Sequence, residues 1–287
     1  MKNLGVLAVA ALIASQVFAA SRELDQAREL YDSTDFERSL KLAQAIHAKD
    51  AAAYETIGKD HFMLGQYKKA TDASEKAIAL DPKNSDYALW MGRIYGRRAE
   101  TSSFLTASGY ASTARQYFEK AVALDPRNLD ALEDLFEYRL QAPGFLGGGL
   151  DGADAAARQI AAVNPAEGQW AQARIAEQRK QFAGAEAHFR RAAEMTPPHQ
   201  VGRRIDLARF LARQGKFQES DQELERAQQA APDSPKLMYA EADIYIQHGR
   251  RLEEARTLLR RYISSALTPD DPPRAQAQKL LARVPGA

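Results

Sequence analysis

The chain contains no cysteine, and this absence removes several kinds of chemistry at once. Disulfides, thiolate metal sites, cysteine nucleophiles and a lipidated N-terminal cysteine are all excluded. Glycine and proline, at 17 and 12 residues, are too few for a collagen-like or a disordered chain. With 45% hydrophobic residues in 287, the chain can form a core, which packing alone must hold together.

An excess of charge of one sign is also lacking. Lys and Arg total 39 against 38 Asp and Glu residues, a net charge of +1. This balance provides no overall attraction to nucleic acid or to an anionic membrane. Beyond residue 20 no apolar run is long enough to span a bilayer, so we expect a soluble body without a transmembrane segment.

The first 20 residues differ in composition from the rest of the chain. Lys2 is followed by an apolar run over residues 4–14, and small residues end the segment at Ala19 and Ala20. This order is that of a secretory signal peptide, and the run is too short for a permanent membrane helix. We predict a signal peptide over residues 1–19, cleaved after Ala19 or one residue later, and export, in a bacterium to the periplasm. An uncleaved N-terminal anchor is the alternative.

A segment ending in Asp-Pro occurs twice with nearly the same letters. Residues 77–82 read Ala-Ile-Ala-Leu-Asp-Pro, and residues 121–126 read Ala-Val-Ala-Leu-Asp-Pro. In both cases another alanine lies seven residues earlier. The same spacing recurs at 185–197 and, with two substitutions, at 220–232. Small side chains at these positions let two helices approach closely, and the proline prevents the helix from continuing.

A first-helix pattern precedes two of these segments: Tyr54, Ile57 and Gly58 come before the first, and Met91, Gly92 and Tyr95 before the second. Together the two patterns resemble the tetratricopeptide-repeat family, whose unit has 34 residues. The resemblance implies an all-α superhelical solenoid of about seven helix pairs, with the first helix of each pair on the concave side. Neighbouring pairs must stack, because one pair cannot bury its apolar face alone.

The repeats account for nearly the whole chain after the signal peptide. We therefore expect a single solenoid over residues 20–287. Its units are 21–50, 51–84, 85–128, 129–165, 166–199, 200–234 and 235–270, followed by a capping helix at 272–284.

Two units carry insertions that break the 34-residue period. The third has about ten extra residues, 96–109, which either extend its first helix or form a protruding hairpin. The fourth has about five around residues 142–150, Ala-Pro-Gly-Phe-Leu-Gly-Gly-Gly-Leu, a loop that resembles one in uncharacterised exported bacterial tetratricopeptide proteins. The candidate functional residues of these insertions are Phe104, Leu105, Phe145, Leu146, Gly147, Gly148 and Gly149.

The glycine-rich loop also suggests phosphate binding, since successive glycine amides can hold an anion. No Lys-Ser or Lys-Thr follows the glycines and no strand precedes them, so the nucleotide-loop pattern is not met. A tight turn is the favoured interpretation. Phe145 and Leu146 are then expected to tuck beneath it.

Motifs for catalysis or metal binding are missing from the sequence. The five histidines are spread over four of the units, and no pair has ligand spacing on one helix face. No nucleophile elbow or zinc-protease helix is present. We therefore predict no metal, no cofactor and no enzyme activity, with a site assembled across several units as the alternative.

In the resembled family, ligands contact fixed positions of the first helices. Carried onto this sequence, those positions include Lys59, Leu89, Arg93, Arg97, Trp170, Arg174, Arg209, Arg213 and Tyr239. Arginines suit carboxylates and aromatic rings suit flat apolar contact, which favours a protein or peptide partner with acidic groups. The alternative is that these arginines form ion pairs within or between repeats.

The sequence thus favours an exported scaffold or adaptor that binds a protein or peptide on its concave face, in envelope assembly or secretion. A second hypothesis is a small-molecule-binding accessory subunit of a transport system, suggested by the glycine loop beside aromatic residues. The partner, the pathway and the oligomeric state are not encoded in any motif found.

Overall fold

A computed structural model of the protein describes residues 21–284, and the predicted signal peptide at 1–19 lies outside them. Between these limits the chain is helical, with no strand. The helices are α1 (21–32), α2 (Phe36–Ala45), α3 (Ala51–Met63), α4 (Tyr67–Leu80), α5 (Ser85–Thr101), α6 (Phe104–Leu124), α7 (Leu129–Gln141), α8 (Leu150–Val163), α9 (Pro165–Gln178), α10 (Phe182–Met195), α11 (Gly202–Arg213), α12 (Phe217–Ala230), α13 (Pro235–Gln247), α14 (Leu252–Ser264) and α15 (Arg274–Leu281).

Most odd-numbered helices pack as a pair with the next helix along the chain. This holds for α3 with α4, α5 with α6, α9 with α10, α11 with α12 and α13 with α14. The last helix, α15, packs on α14 at the predicted position of the cap. The prediction of an all-α fold built from helix pairs is confirmed.

The chain divides into two compact units. The first extends to Leu135 and includes Phe145–Gly147, and the second comprises Phe136–Gly144 and the chain from Gly148 onward. The division falls inside α7. A single solenoid with the seven boundaries given above stays a prediction.

Polar caps and prolines define where the first helices begin. The Asp50 side chain accepts a hydrogen bond from the Ala53 amide at 2.8 Å, and Asn84 caps α5 in the same way. Pro165 and Pro235 occupy the first positions of α9 and α13, where their missing N–H has no helical partner to lose. Proline therefore occupies the first position of some helices and follows the end of others.

Small residues lie at the tightest helix contacts. The four alanines aligned in the sequence, at positions 70, 77, 114 and 121, are at most 1% exposed. Gly168 on α9 is tighter still, because a Cβ placed there would lie 2.4 Å from the Ala161 Cβ and 2.6 Å from its Cα. The backbone of α8 would have to move to admit a methyl group. Interior close packing at these points depends on the absence of side-chain volume.

This geometry predicts opposite effects for two Gly→Ala substitutions in neighbouring helices. Gly168→Ala should lower the free energy of unfolding by about 1–3 kcal/mol, because the new methyl group overlaps α8. Gly184 lies within α10 with no neighbouring atom in reach of a Cβ. Gly184→Ala should therefore raise stability by roughly 0.5–1 kcal/mol through helix propensity. Urea denaturation followed by circular dichroism measures both, and equal effects would contradict the close contact.

The insertion at residues 96–109 extends both helices of its pair and forms no separate hairpin. Helix α5 continues to Thr101, and α6 begins at Phe104 and runs for 21 residues. Phe104 and Leu105 are 93% and 88% exposed at the start of α6. The extended α6 thus projects two apolar side chains into solvent.

The glycine-rich segment at residues 142–150 forms a tight turn, as expected. Gly147 and Gly149 have positive φ angles, and a Cβ on Gly148 would lie 1.8 Å from the Ala142 carbonyl oxygen. The expectation that Phe145 tucks beneath the turn is wrong, since its side chain is 83% exposed. The short helical turn Gly144–Leu146 points that ring outward, whereas Leu146 is half-buried.

Candidate functional site

The second unit contains a cleft of about 650 Å³ formed by its odd-numbered helices α9, α11 and α13 and by the segment that follows α14. Five of the predicted binding residues line it, namely Trp170, Arg174, Arg209, Arg213 and Tyr239. The remaining lining residues are Glu177, Phe189, Gly202, Arg203, Ile205, Asp206, Lys236, Ala240, Asp270 and Pro272. Five cationic and three anionic side chains line it, which leaves it with a net positive charge.

Trp170 and Tyr239 are two of the three aromatic residues that line the cleft. Trp170 packs against Phe136 with ring centroids 5.6 Å apart, and the Arg203 guanidinium lies 4.3 Å from its centroid. Tyr239 packs against Tyr262 at 5.3 Å. Burial, with a smaller contribution from Asp243, raises the pKa of Tyr239, so its hydroxyl remains a neutral hydrogen-bond donor. Both rings are mostly buried and rigidly supported.

Most arginines of the cleft are held in ion pairs between neighbouring first helices. Arg174 on α9 binds Glu137 on α7 at 2.5 Å and 3.2 Å, and Arg213 on α11 binds Glu177 on α9 at 2.7 Å. Arg203 is likewise paired with Glu167 and Asp206. These contacts correspond to the alternative considered for the sequence, in which the arginines connect repeats.

Arg209 and Lys236 differ from these arginines. Arg209 is half-buried in the cleft, Lys236 is exposed at its edge, and neither forms an ion pair with any residue between 21 and 284. Their charges are therefore available to an anionic ligand. Asp270, also unpaired within that range, is exposed at the same cleft. The sequence placed Arg209 here but gave no sign of Lys236, which lies one turn before Tyr239 on α13.

In the first unit, the predicted face is centred on Trp90. Lys59 and Arg93 lie over its ring at 5.0 Å and 5.2 Å from the centroid. Arg93 also binds Asp134 at 2.6 Å and Asp130 at 3.2 Å. Leu89, which the sequence placed on this face, is only 2% exposed and belongs to the core. The partly exposed apolar residue here is its neighbour, Trp90.

The other predicted residues of the first unit are also engaged. Lys59 pairs with Glu55 at 2.7 Å, and Arg97 pairs with Glu100 on the same helix. In the glycine-rich turn, the amides of Gly148 and Gly149 donate to the carbonyls of Pro143 and Arg139. Those two amides are thus occupied and cannot hold a phosphate.

Across the described range, no cluster of three or more His, Asp or Glu side chains could hold a metal ion. In the same range, no helix is both long enough and apolar enough to cross a membrane.

The helix pairs agree with the family models that match this chain. Residues 51–84 match one tetratricopeptide-repeat model, and residues 205–272 match another. This chain is a tetratricopeptide-repeat protein. The first match coincides with the α3–α4 pair, and the second covers α11 to α14, which supply much of the cleft.

Solved structures share the tetratricopeptide fold at low sequence identity. A tetratricopeptide-repeat protein from Parabacteroides merdae is 15% identical with a TM-score of 0.58, covering 92% of this chain and 98% of that one. TTC0263, a thermophilic tetratricopeptide protein in Thermus thermophilus, is 19% identical with a TM-score of 0.55, covering 67% and 98%. At these identities the likeness concerns the fold alone. No curated protein matches the sequence.

A third structure of this fold is that of an assembly. The APC/C hetero-tetramer Cut9-Hcn1 is 15% identical with a TM-score of 0.52, covering 90% of this chain and 48% of that chain. Stacked repeats create extended concave surfaces that such proteins use for binding. The tetratricopeptide fold is therefore, in general, that of a protein-interaction scaffold and is not typical of enzymes.

Proposed function

We propose that this tetratricopeptide protein is an exported scaffold whose second-unit cleft binds an acidic segment of a protein partner. The observation that carries the proposal is the unpaired, half-buried guanidinium of Arg209 beside the rings of Trp170 and Tyr239. A carboxylate can bind Arg209 and Lys236, and the buried rings of Trp170 and Tyr239 support the cleft beside them. The paired arginines around them hold the helices in place.

The composition of the cleft favours a peptide over a metabolite. Sites for small molecules are mostly apolar with a few polar groups, whereas charged side chains make up more than half of this lining. A transport subunit that binds a metabolite, the second hypothesis from the sequence, is therefore less well supported. A peptide segment with alternating acidic and apolar side chains suits such a surface.

Export forms part of the proposal and rests on residues 1–20 of the sequence. A role in envelope assembly or secretion follows from that location. The intact mass of the protein recovered from a periplasmic extract tests it. A chain that begins at Ala20 or Ser21 agrees with export, whereas a cytoplasmic protein that retains Met1 contradicts it.

Charge reversal at the two unpaired cations should abolish partner binding without unfolding the protein. Arg209→Glu with Lys236→Glu is expected to weaken the complex by about 100-fold or more, because a carboxylate of the partner would face two negative charges. The measurement is crosslinking in intact cells and identification of the proteins recovered, followed by titration of the purified partner. Binding by the unchanged protein should also weaken with added salt.

The matched control is Arg191→Glu with Lys279→Glu. Both residues are exposed, lie on α10 and α15, and form no ion pair within residues 21–284. This variant has the same net charge as the test variant but an unaltered cleft. Equal recovery of the partner by both variants, or no recovery above background by the unchanged protein, would overturn the proposal.

A further inference from the structure

The first unit has a second cleft, of about 470 Å³, between the start of α4 and the end of α5. It lies wholly within the described residues. Its charged lining residues are Lys68, Lys69 and Arg98, and none of the side chains that line it is a carboxylate. All charged side chains that line this cleft are therefore positive, whereas the cleft of the second unit contains both signs. The whole protein is nevertheless almost neutral.

Arg98 is fixed by neutral groups. Its two terminal nitrogens donate to the Thr71 hydroxyl at 3.0 Å and to the Tyr110 hydroxyl at 2.9 Å. Its guanidinium also lies 4.3 Å from the centroid of the Tyr110 ring and 5.1 Å from that of Tyr95. These contacts orient the half-buried guanidinium but leave its charge uncompensated. Oriented, weakly hydrated arginines of this kind bind phosphate groups well.

The two lysines are also without ion-pair partners. Lys68 and Lys69 are exposed on the first turn of α4, and neither pairs with a residue between 21 and 284. Asp72 follows on the same helix without pairing with either, and the nearby Glu100 is engaged by Arg97. The positive potential of the cleft therefore extends to the surface.

An apolar pair adjoins this charge. Phe104 and Leu105 are the most exposed large hydrophobic residues in the described range, at 93% and 88%. Phe104 follows two residues after Ser102, which lines the cleft, so their Cα atoms lie at most about 7 Å apart. The pair protrudes from the tip of α6 and has hardly any contact with the rest of the protein.

We propose that these five residues, the basic-apolar patch of Lys68, Lys69, Arg98, Phe104 and Leu105, dock the protein on an anionic phospholipid surface. The lysines and Arg98 contact lipid phosphates, and the two apolar side chains enter the boundary with the acyl chains. A lipid surface yields to protruding side chains, whereas a protein partner needs a shaped pocket for them. A soluble anion would leave Phe104 and Leu105 in water.

Vesicle flotation tests this proposal with the full chain. The probes are vesicles of phosphatidylcholine alone and of phosphatidylcholine with phosphatidylglycerol. The readout is the difference in bound protein between the two vesicle types, compared among variants that share the same N-terminus. Lys68→Glu with Lys69→Glu should reduce this additional binding to the anionic vesicles, the anionic increment, by about ten-fold or more. Phe104→Ser with Leu105→Ser should reduce it similarly by removing the inserted area.

Controls of matched charge and polarity are available in the same unit. Lys41→Glu with Lys83→Glu changes two exposed lysines that do not line the cleft, and Phe145→Ser changes another exposed ring. Both should retain full binding. The proposal is overturned if the unchanged protein shows no anionic increment, or if the test variants bind like the controls. Binding of glycerol phosphate or of an acidic peptide without vesicle binding would overturn it in favour of that ligand.

Discussion

Asp60→Asn should stabilise the first unit by roughly 2–4 kcal/mol above pH 7. The Asp60 side chain on α3 is fully buried, one carboxylate oxygen accepts from the Ser39 hydroxyl at 2.8 Å, and the other has no hydrogen-bond partner in the described range. Burial raises the pKa of Asp60 from 3.8 to about 7, although the Ser39 hydrogen bond lowers it. Asparagine keeps the shape and the acceptor for Ser39 but never becomes a buried anion.

The pH dependence of this effect follows from proton binding. Because the pKa of Asp60 is about 7 in the folded protein and near 3.8 in the unfolded chain, the folded state binds more protons between these values. The contribution of Asp60 to stability is therefore complete below about pH 4, decreases as pH rises, and is lost above about pH 7. We expect the two proteins to differ little at pH 4 and most at pH 8.

Urea denaturation at several pH values, followed by circular dichroism, measures this difference. The control is Asp72→Asn, which removes an exposed carboxylate from the adjacent helix α4. It should leave the pH dependence of stability almost unchanged. If Asp60→Asn unfolded at the same urea concentration as the unchanged protein at pH 8, Asp60 would not be a buried anion there.

The fold was accessible from the sequence because each repeat carries its own signal. Aligned alanines such as Ala70 and Ala121 are buried at helix contacts, and they recur with a constant spacing. An irregular turn occurs only once in the chain, so no repeated spacing in the sequence indicates its conformation. The outward ring of Phe145 depends on a short helical turn and on the positive φ angles of the glycines beside it, which the letters Pro-Gly-Phe-Leu do not determine.

The candidate site was only partly accessible from the sequence. Family positions on the first helices identified Trp170, Arg209 and Tyr239, which the fold brings to one cleft. Lys236 was missed because it lies outside those positions. Pairing was also hidden, since Arg174 and Glu137 are 37 residues apart and meet only when neighbouring repeats stack. Without knowledge of the contacts between repeats, a paired arginine cannot be distinguished from an unpaired one in the sequence.

Charge reversal at Arg93 should lower the free energy of unfolding by about 3 kcal/mol, unlike reversal at Arg209. Arg93 binds Asp134 and Asp130 on α7, and its side chain is 28% exposed. Burial lowers the pKa of Arg93, but Asp134 and Asp130 together outweigh it and raise the pKa overall. Arg93→Glu would place three carboxylates together. Arg209→Glu removes no ion pair within residues 21–284 and should change stability by less than about 0.5 kcal/mol.

A double-mutant cycle separates this pairing from a general effect of charge. Arg93→Glu combined with Asp134→Arg restores opposite charges across α5 and α7, so it should recover at least about 1 kcal/mol of the loss. Arg93→Glu combined with Arg209→Glu should show simple additivity, because the two residues share no partner. If Arg93→Glu unfolded at the same urea concentration as Arg209→Glu, Arg93 would not serve as a connection between repeats, and it would become as strong a candidate for partner binding as Arg209.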